Sequence, residues 1–202
     1  MIKLYHAPRT RSDRIVWLLE ELGVSYGVER VDFKPQPGRL FAQQTPCGKV
    51  PVIEDGDLTM FESGAIVEYL LERYDDGSLA PATGTPTRAA FLQWLHFAES
   101  TAFSPLTAVV WLLRYRDDAA EHPELLADAR ARAAAAFEFL EAALGEREYL
   151  LDSGFSAADI MMGFTLFAAR RFEVLDDARC PRVAAYYARL EARPAFQKAM
   201  AA

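Results

Sequence analysis

The run from Gly48 to Tyr74 constrains the fold more tightly than any other part of the sequence, because its periodicity changes once from strand to helix. A short apolar segment leads into Asp55-Gly56, a dipeptide that strongly favours a hairpin turn. Asp57 to Phe61 predicts the returning strand, and apolar residues recur at helical spacing after Ser63. The run therefore predicts a β-hairpin followed by a helix with a polar start.

Three residues in this run suit a place where the backbone meets a ligand. Pro51 begins the strand, where its missing N–H and fixed φ limit it to a sheet edge or a special turn. If the Val50-Pro51 bond is cis, Val50 can turn its backbone N–H and C=O toward a peptide-like ligand. Ser63 can cap the helix, whose unpaired N–H groups suit a carboxylate. On pattern alone, an ordinary capped hairpin–helix unit is the alternative.

The segments before this run predict a parallel strand–helix–strand unit. Ile2 to Tyr5 predicts a short strand, apolar spacing predicts a helix from Ser12 to Leu22, and Tyr26 to Phe33 alternates like a strand. Lys34 to Thr45 contains several turn-forming residues and predicts a loop. The N-terminal part is therefore predicted to be an α/β domain.

Strand signals disappear after Asp75–Pro86, a segment rich in Gly, Pro, Asp, Ser and Thr that predicts a linker. Thr87 to about Arg116 predicts a long helix with a kink or break at Pro105. Ser156 and Asp159 form an N-capping pattern, which we assign to folding. The helices predicted in the rest of the chain are Glu124 to Leu144, Ile160 to Phe167, Pro181 to Glu191 and Pro194 to Ala201.

Composition and charge disfavour several classes of function. The net charge of −7 disfavours binding to nucleic acid or to an anionic membrane. Cys47 and Cys180 lie far apart and form no CxxC motif, and the chain has only three histidines, so no metal site is predicted. No apolar run is long enough to span a bilayer and no secretory signal is recognisable, so we expect a cytoplasmic protein.

The run G-K-V-P-V-I…D-G…F-E-S-G-A-I…Y-L resembles the glutathione-binding half of the thioredoxin-like domain in cytosolic glutathione transferases. In the second half of the chain, F-S-A-A-D-I resembles the capping box that begins the core helix of that family's all-α domain. The resemblance implies a thioredoxin-like α/β domain at 1–76, a linker at 77–86 and an all-α domain at 87–202. It also implies glutathione as co-substrate, no metal, and a homodimer.

The resemblance places a thiol-activating group in the loop after the first strand. A free thiol has a pKa of about 8.5, so a hydroxyl donor must stabilise the thiolate. Counting back from Arg14, the serine position of Ser-type members falls on Thr10. Ser12 is the second candidate, although as predicted N-cap its oxygen can be occupied by the helix. Tyr5 in the strand is the third, and a backbone or water donor stays open. Because this loop has no cysteine, thiol–disulfide exchange is disfavoured.

The resemblance also assigns glutathione-binding roles to residues of the central run. Val50, before the cis-proline position at Pro51, is expected to form antiparallel backbone bonds to the cysteinyl part. Glu62 is expected to pair with the γ-glutamyl ammonium and Ser63 with its carboxylate. The candidates for the glycyl carboxylate are Lys49, Gln44 and Arg39. Cys47 is interpreted as an inert thiol.

The second substrate is expected between the domains, against the helix that carries Phe103, Thr107 and Trp111. An aromatic wall suits a hydrophobic electrophile. Arg9 and Arg11 in the loop would suit an acidic one. The leading prediction is a glutathione transferase that conjugates the thiolate to a hydrophobic electrophile. The alternatives are a transferase-like regulatory or binding protein without turnover, or a glutathione-dependent peroxidase, isomerase or dehalogenase on the same scaffold.

Overall fold

The computed structural model of the chain describes residues 1–32, 45–46 and 48–202. These residues form two compact units, one of Met1–Ala80 with Ala192–Ala202 and the other of Pro81–Glu191. The predicted loop at 34–45 falls almost wholly outside the described residues, as do the candidates Arg39, Gln44 and Cys47. Within the described part of the chain, no helix combines the length and apolar character needed to cross a membrane.

The first unit is built on a four-stranded sheet with the strand order β2-β1-β3-β4. β1 pairs in parallel with β2 and antiparallel with β3, which forms the predicted hairpin with β4. The parallel pair requires a crossover, and helix α1 provides it. The strands are β1 (Ile2–His6), β2 (Tyr26–Arg30), β3 (Val52–Asp55) and β4 (Leu58–Phe61).

The helices of the first unit are α1 (Asp13–Leu22), α2 (Ser63–Tyr74) and α8 (Pro194–Ala201). The predicted all-α domain at 87–202 includes α8, but α8 belongs to the first unit and packs against α1. Trp17 meets Phe196 edge to face, with ring centroids 4.9 Å apart. The Arg193 guanidinium donates two hydrogen bonds to the Glu21 carboxylate, at 2.7 and 2.8 Å. The last helix is therefore joined to the first by an apolar contact and a bidentate ion pair.

The second unit is helical throughout its regular structure. The break predicted near Pro105 is present as a π-helical segment, Phe97–Phe103, directly before α4 (Ser104–Tyr115). Pro105 lies in the first turn of α4, so its missing N–H falls where the helical hydrogen-bond pattern changes. The α-helices of this unit are α3 (Pro86–His96), α4 (Ser104–Tyr115), α5 (Pro123–Leu144), α6 (Ala157–Arg171) and α7 (Pro181–Glu191).

The predicted capping pattern at Ser156 and Asp159 is confirmed as a complete capping box at the start of α6. The buried Asp159 carboxylate accepts hydrogen bonds from the backbone N–H groups of Leu150 and Ser156, at 2.9 and 2.8 Å. It also accepts one from the Tyr186 hydroxyl, at 2.8 Å. Burial raises the pKa of Asp159, and these donors oppose the rise. Because every donor comes from the protein core, Asp159 acts in folding.

Candidate functional site

The segments that are predicted to bind glutathione lie together in the first unit. Ala7, in the loop after β1, packs in one buried cluster with Val50 and Val31, and Tyr5 packs against this cluster. The sheet thus places the loop that carries Thr10 beside the segment before β3. The fold brings together segments that are more than 40 residues apart in the chain.

The Val50-Pro51 bond is cis. The side chains of Val50 and Pro51 are buried, whereas that of Lys49 is exposed. Lys49 therefore presents a positive charge at the surface directly beside the cis-proline.

The start of α2 differs from its prediction by one residue. Glu62, not Ser63, occupies the N-cap position, and its side chain makes no capping hydrogen bond. Glu62 is exposed and has φ 72°, a value that costs a non-glycine residue about 1–3 kcal/mol. Ser63 is the first helical residue, and its buried Oγ accepts a hydrogen bond from the Arg14 guanidinium at 3.3 Å. A strained residue thus holds a carboxylate at the surface next to a buried hydroxyl and a buried cation.

Thr10 is partly exposed in the loop between β1 and α1, next to Arg9, which has φ 64°. Its Oγ1 donates to the Ala7 carbonyl oxygen at 2.7 Å and lies 2.7 Å from the Ser12 hydroxyl. The backbone N–H of Ser12 also donates to it at 3.3 Å. Thr10 therefore has a fixed orientation, and its hydroxyl proton already has an acceptor.

Ser12 occupies the N-cap position of α1, as predicted, but its side chain does not cap the helix. Its Oγ points back into the loop, where it accepts from the Ala7 N–H at 3.2 Å and lies 2.8 Å from His6 Nδ1. The prediction that the helix occupies this oxygen is therefore wrong; the oxygen is occupied by the loop. Ser12 is completely buried, whereas Thr10 is partly exposed.

Tyr5 has a partly buried side chain whose hydroxyl is committed to neighbours on the sheet. The hydroxyl donates to the Glu54 carboxylate at 2.7 Å and accepts from the Lys3 ammonium at 3.1 Å. The Lys3 ammonium also lies over the Tyr5 ring, 4.6 Å from its centroid. These contacts connect Tyr5 to Lys3 on its own strand and to Glu54 on β3, rather than to the loop hydroxyls.

Three buried ionisable residues lie beneath the loop, and none of them is among the residues predicted for the site. His6, Asp13 and Arg14 are each at most 1% exposed. His6 Nδ1 lies 3.8 Å from Asp13 Oδ1, and neither Asp13 oxygen has a hydrogen bond of ordinary geometry from the described residues. The signal that could have indicated Asp13 and Arg14 is the run S-D-R at the start of a helix whose next five residues are all apolar. Such a run usually indicates a solvated helix start.

Burial dominates the electrostatics of this cluster. Burial raises the pKa of Asp13 to about 8, although the backbone N–H groups of Arg9 and Thr10 and the charges of Arg9 and Arg14 favour its ionised form. Burial also lowers the pKa of His6, as does the charge of Arg30, while the backbone of Ala202 opposes this shift. Both side chains are therefore shifted toward their neutral forms.

The predicted electrophile residues lie in the second unit and differ in exposure. Phe103 is buried and stacks on Phe164, with centroids 5.8 Å apart, so it is part of the helical core. Thr107 is exposed, and its hydroxyl donates to the Phe103 carbonyl oxygen at 3.1 Å. Trp111 is 37% exposed and lies 5.8 Å from Tyr115 between ring centroids. Trp111 and Thr107 thus form an accessible surface one turn apart on α4.

The described residues contain no group of three or more His, Cys, Asp or Glu side chains that could hold a metal ion. Cys180 is buried, and burial raises the pKa of its thiol, so this cysteine is not an activated nucleophile.

Comparison with known proteins agrees with the resemblance in the sequence. Residues 1–72 match the family model for the glutathione S-transferase N-terminal domain, and residues 123–189 match that for the C-terminal domain. Glutathione S-transferase 3 of Zea mays is 32% identical over 100% of this chain and 94% of its own length. A glutathione S-transferase-like protein of Beauveria bassiana is 31% identical over 98% of this chain and 93% of its own.

The fold is also shared with solved structures. A glutathione transferase from Phanerochaete chrysosporium, solved in complex with oxidized glutathione, has a TM-score of 0.85 and 27% sequence identity. The match covers 98% of this chain and 94% of that chain.

Proposed function

Because the chain belongs to the glutathione S-transferase family, we propose that it binds glutathione as a thiolate and transfers it to a hydrophobic electrophile. The sulfur forms a bond to an electrophilic carbon, and the leaving group departs with its bonding electron pair. The proton lost from the thiol passes to solvent. Binding both reactants in one orientation and stabilising the thiolate would supply most of the rate.

The observation that carries the proposal is the Arg14–Ser63 contact at the start of α2. A buried cation, a hydroxyl and the unpaired N–H groups of a helix N-terminus together suit one carboxylate. The exposed Glu62 carboxylate next to them suits an ammonium group. The γ-glutamyl end of glutathione carries both charges on one carbon, so this pair matches it.

The other contacts proposed for glutathione follow from the same arrangement. The backbone of Val50, before the cis Pro51, would pair with the cysteinyl part, and the exposed Lys49 would meet the glycyl carboxylate. These contacts would place the sulfur near the loop after β1, because Val50 and Ala7 share a buried cluster.

Thr10 is the proposed donor to the sulfur. It is the more accessible of the two loop hydroxyls, and its proton can turn from the Ala7 carbonyl oxygen toward an anion. A hydrogen bond to a charged group contributes about 1.5–3 kcal/mol, which lowers a thiol pKa by about one to two. One donor of this kind therefore brings a thiol with a pKa of about 8.5 close to neutrality.

The experiment is a pH titration of bound glutathione, followed by the ultraviolet absorbance of its thiolate. We expect a saturable signal with a pKa well below that of free glutathione. Thr10→Val preserves the shape of the side chain and removes the hydroxyl, so it should raise this pKa by about one or more. Thr10→Ser is the matched control and should keep the pKa low. An unchanged pKa in Thr10→Val would assign the donor elsewhere.

The proposed electrophile surface is the exposed pair Thr107 and Trp111, while Phe103 supports it from the helical core. The large apolar face of Trp111 suits a hydrophobic or aromatic compound. Peroxide reduction, isomerisation and dehalogenation would use the same thiolate, so a panel of these substrates follows the titration.

One observation favours the second candidate, a glutathione-binding regulatory protein without turnover. The Thr10 hydroxyl proton already has an acceptor in Ala7, and Ser12 is buried. If glutathione binds and no thiolate forms, this second function is the correct one. If glutathione does not bind, both proposals fail.

The homodimer is part of the proposal. Leu58 and Phe61 are 40% and 44% exposed on β4, one of the two edge strands of the described sheet. Exposed apolar residues on a sheet edge favour association. Sedimentation of the chain as a monomer at micromolar concentration would contradict the dimer.

A further inference from the structure

We propose that His6 is a positioning residue for thiolate formation, because it sets the direction in which the hydroxyl protons of Ser12 and Thr10 point. The inference rests on the proposed function, since it matters only where Thr10 donates to the glutathione sulfur. His6 itself touches no substrate: it is completely buried behind the loop.

A continuous chain of short contacts joins the His6 ring to the accessible hydroxyl. His6 Nδ1 is 2.8 Å from Ser12 Oγ, and Ser12 Oγ is 2.7 Å from Thr10 Oγ1. Each oxygen has one proton to donate. The direction of hydrogen-bond donation at one contact therefore limits the direction of donation at the next.

Ser12 Oγ also lies 3.1 Å from the Ala7 carbonyl oxygen, which can accept its proton. For the contact between Ser12 and Thr10, the position of the His6 proton gives two arrangements. If His6 carries its proton on Nε2, Nδ1 is an acceptor and Ser12 donates to it, so Ser12 has no proton for Thr10. If His6 carries its proton on Nδ1, the ring donates to Ser12, which can donate to Thr10. The Thr10 proton is then directed away from Ser12, toward the Ala7 carbonyl oxygen or toward a bound thiolate. Only this second arrangement forms an uninterrupted series of donors that ends at the sulfur.

One neighbour of the ring, Asp13, favours the second arrangement. Its Oδ1 lies 3.8 Å from Nδ1 and, where that oxygen carries no proton of its own, favours a proton on that nitrogen. Nε2 forms no hydrogen bond of ordinary geometry with the described residues, although the backbone of Ala202 accepts from the ring. Among the groups that act on the ring, burial and Arg30 favour the neutral form, while the backbone of Ala202 favours the charged one. A neutral ring carries a proton on only one of its two nitrogens, so the position of that proton affects the hydrogen bonds of Thr10.

Two substitutions distinguish the effect of a hydrogen-bond donor at the Nδ1 position from the effect of the ring's volume. His6→Asn places an amide near the Nδ1 position, where its N–H can donate to Ser12. His6→Phe fills the space and donates nothing. We expect bound glutathione to keep its low thiol pKa in His6→Asn and to show a pKa raised by about one in His6→Phe. Affinity for S-methylglutathione, which has no thiol to ionise, should be the same in both variants and in the wild type.

The tautomer can also be determined in the wild-type protein, so this test does not depend on the folding of a variant. The imidazole 15N and 13C chemical shifts identify the protonated nitrogen, and the chain has only three histidines to assign. We expect Nδ1–H in the glutathione complex. Nε2–H there, or a wild-type thiol pKa in His6→Phe, would overturn the inference while Thr10→Val still raises the pKa. A Thr10→Val protein that keeps the wild-type pKa would instead remove the proposed donor.

Discussion

Asp13 should make the folded protein less stable as the pH rises, and its replacement should remove that dependence. The folded-state pKa of this carboxyl is about 8, well above its ordinary value of 3.8. Between these values the folded protein keeps a proton that the unfolded chain has lost. Raising the pH in this window therefore favours the unfolded chain. Below the window both states are protonated, and above it both are ionised.

The magnitude follows from the proton difference. One extra proton in the folded state changes the free energy of unfolding by about 1.4 kcal/mol per pH unit. From pH 5 to pH 7, Asp13 should therefore remove about 2.7 kcal/mol of stability from the wild type. His6 acts in the opposite direction, because its folded-state pKa is lowered and the unfolded chain binds its proton more readily. The effect of Asp13 must accordingly be measured as a difference between proteins.

The assay is urea unfolding of the wild type, Asp13→Asn and Asp13→Leu at several pH values between 5 and 7.5. Neither replacement titrates, so each variant should gain stability relative to the wild type as the pH rises, with the same slope for both. The two variants should differ from each other by a constant offset, which reports the loss or gain of polar contacts. A wild-type-minus-variant difference that stays flat would show that Asp13 is ionised in the folded protein, and would refute the argument from burial.

Two further predictions concern the proposed glutathione-binding residues and the contact between the first and last helices. Glu62→Gln should weaken S-methylglutathione binding by about tenfold or more in calorimetry, because it removes a charged partner, whereas Glu72→Gln on the exposed side of α2 should have no effect. Arg193→Ala should lower the free energy of unfolding by about 1–2 kcal/mol, because it removes both hydrogen bonds to the part-buried Glu21. Lys198→Ala, which breaks a single exposed ion pair, should cost clearly less; equal losses would contradict the bidentate contact.

Local signals in the sequence predicted much of the fold. The capping box at Ser156, the proline-opened helices α7 and α8, and the Asp55-Gly56 hairpin were each predicted from a few adjacent residues, and the structure has all of them. Each depends on backbone chemistry that acts within one turn of the chain. Boundaries were less certain, as the N-cap at Glu62 rather than Ser63 shows.

Features that depend on packing were not predictable in the same way. The N-cap position of Ser12 follows from the sequence, but the direction of its hydroxyl depends on His6 at the end of β1. Phe103 has the same helical spacing whether it packs on Phe164 or faces a ligand. The helical period of α8 shows an apolar face without showing that α1 covers it. In each case a partner outside the helix's own sequence pattern decides the outcome.

Two buried carboxylates at helix starts allow a comparison that bears on function. Asp159 accepts hydrogen bonds from Leu150, Ser156 and Tyr186, so the protein core offsets the cost of burying it. Asp13 is as deeply buried, yet the described residues give it no hydrogen bond of ordinary geometry. The backbone N–H groups of Arg9 and Thr10 and the charges of Arg9 and Arg14 offset part of the cost of burying Asp13. A buried polar group without a well-formed hydrogen bond costs up to about 1–3 kcal/mol, and folded proteins retain such costs mainly at functional sites. If Asp13→Leu proves more stable than the wild type and also raises the pKa of bound glutathione, the buried carboxyl serves the thiolate at the expense of the fold. If it is more stable and leaves that pKa unchanged, Asp13 does not act on the contacts that join His6, Ser12 and Thr10. The hydrogen bond to Ser12 must then be the interaction that holds the proton on Nδ1.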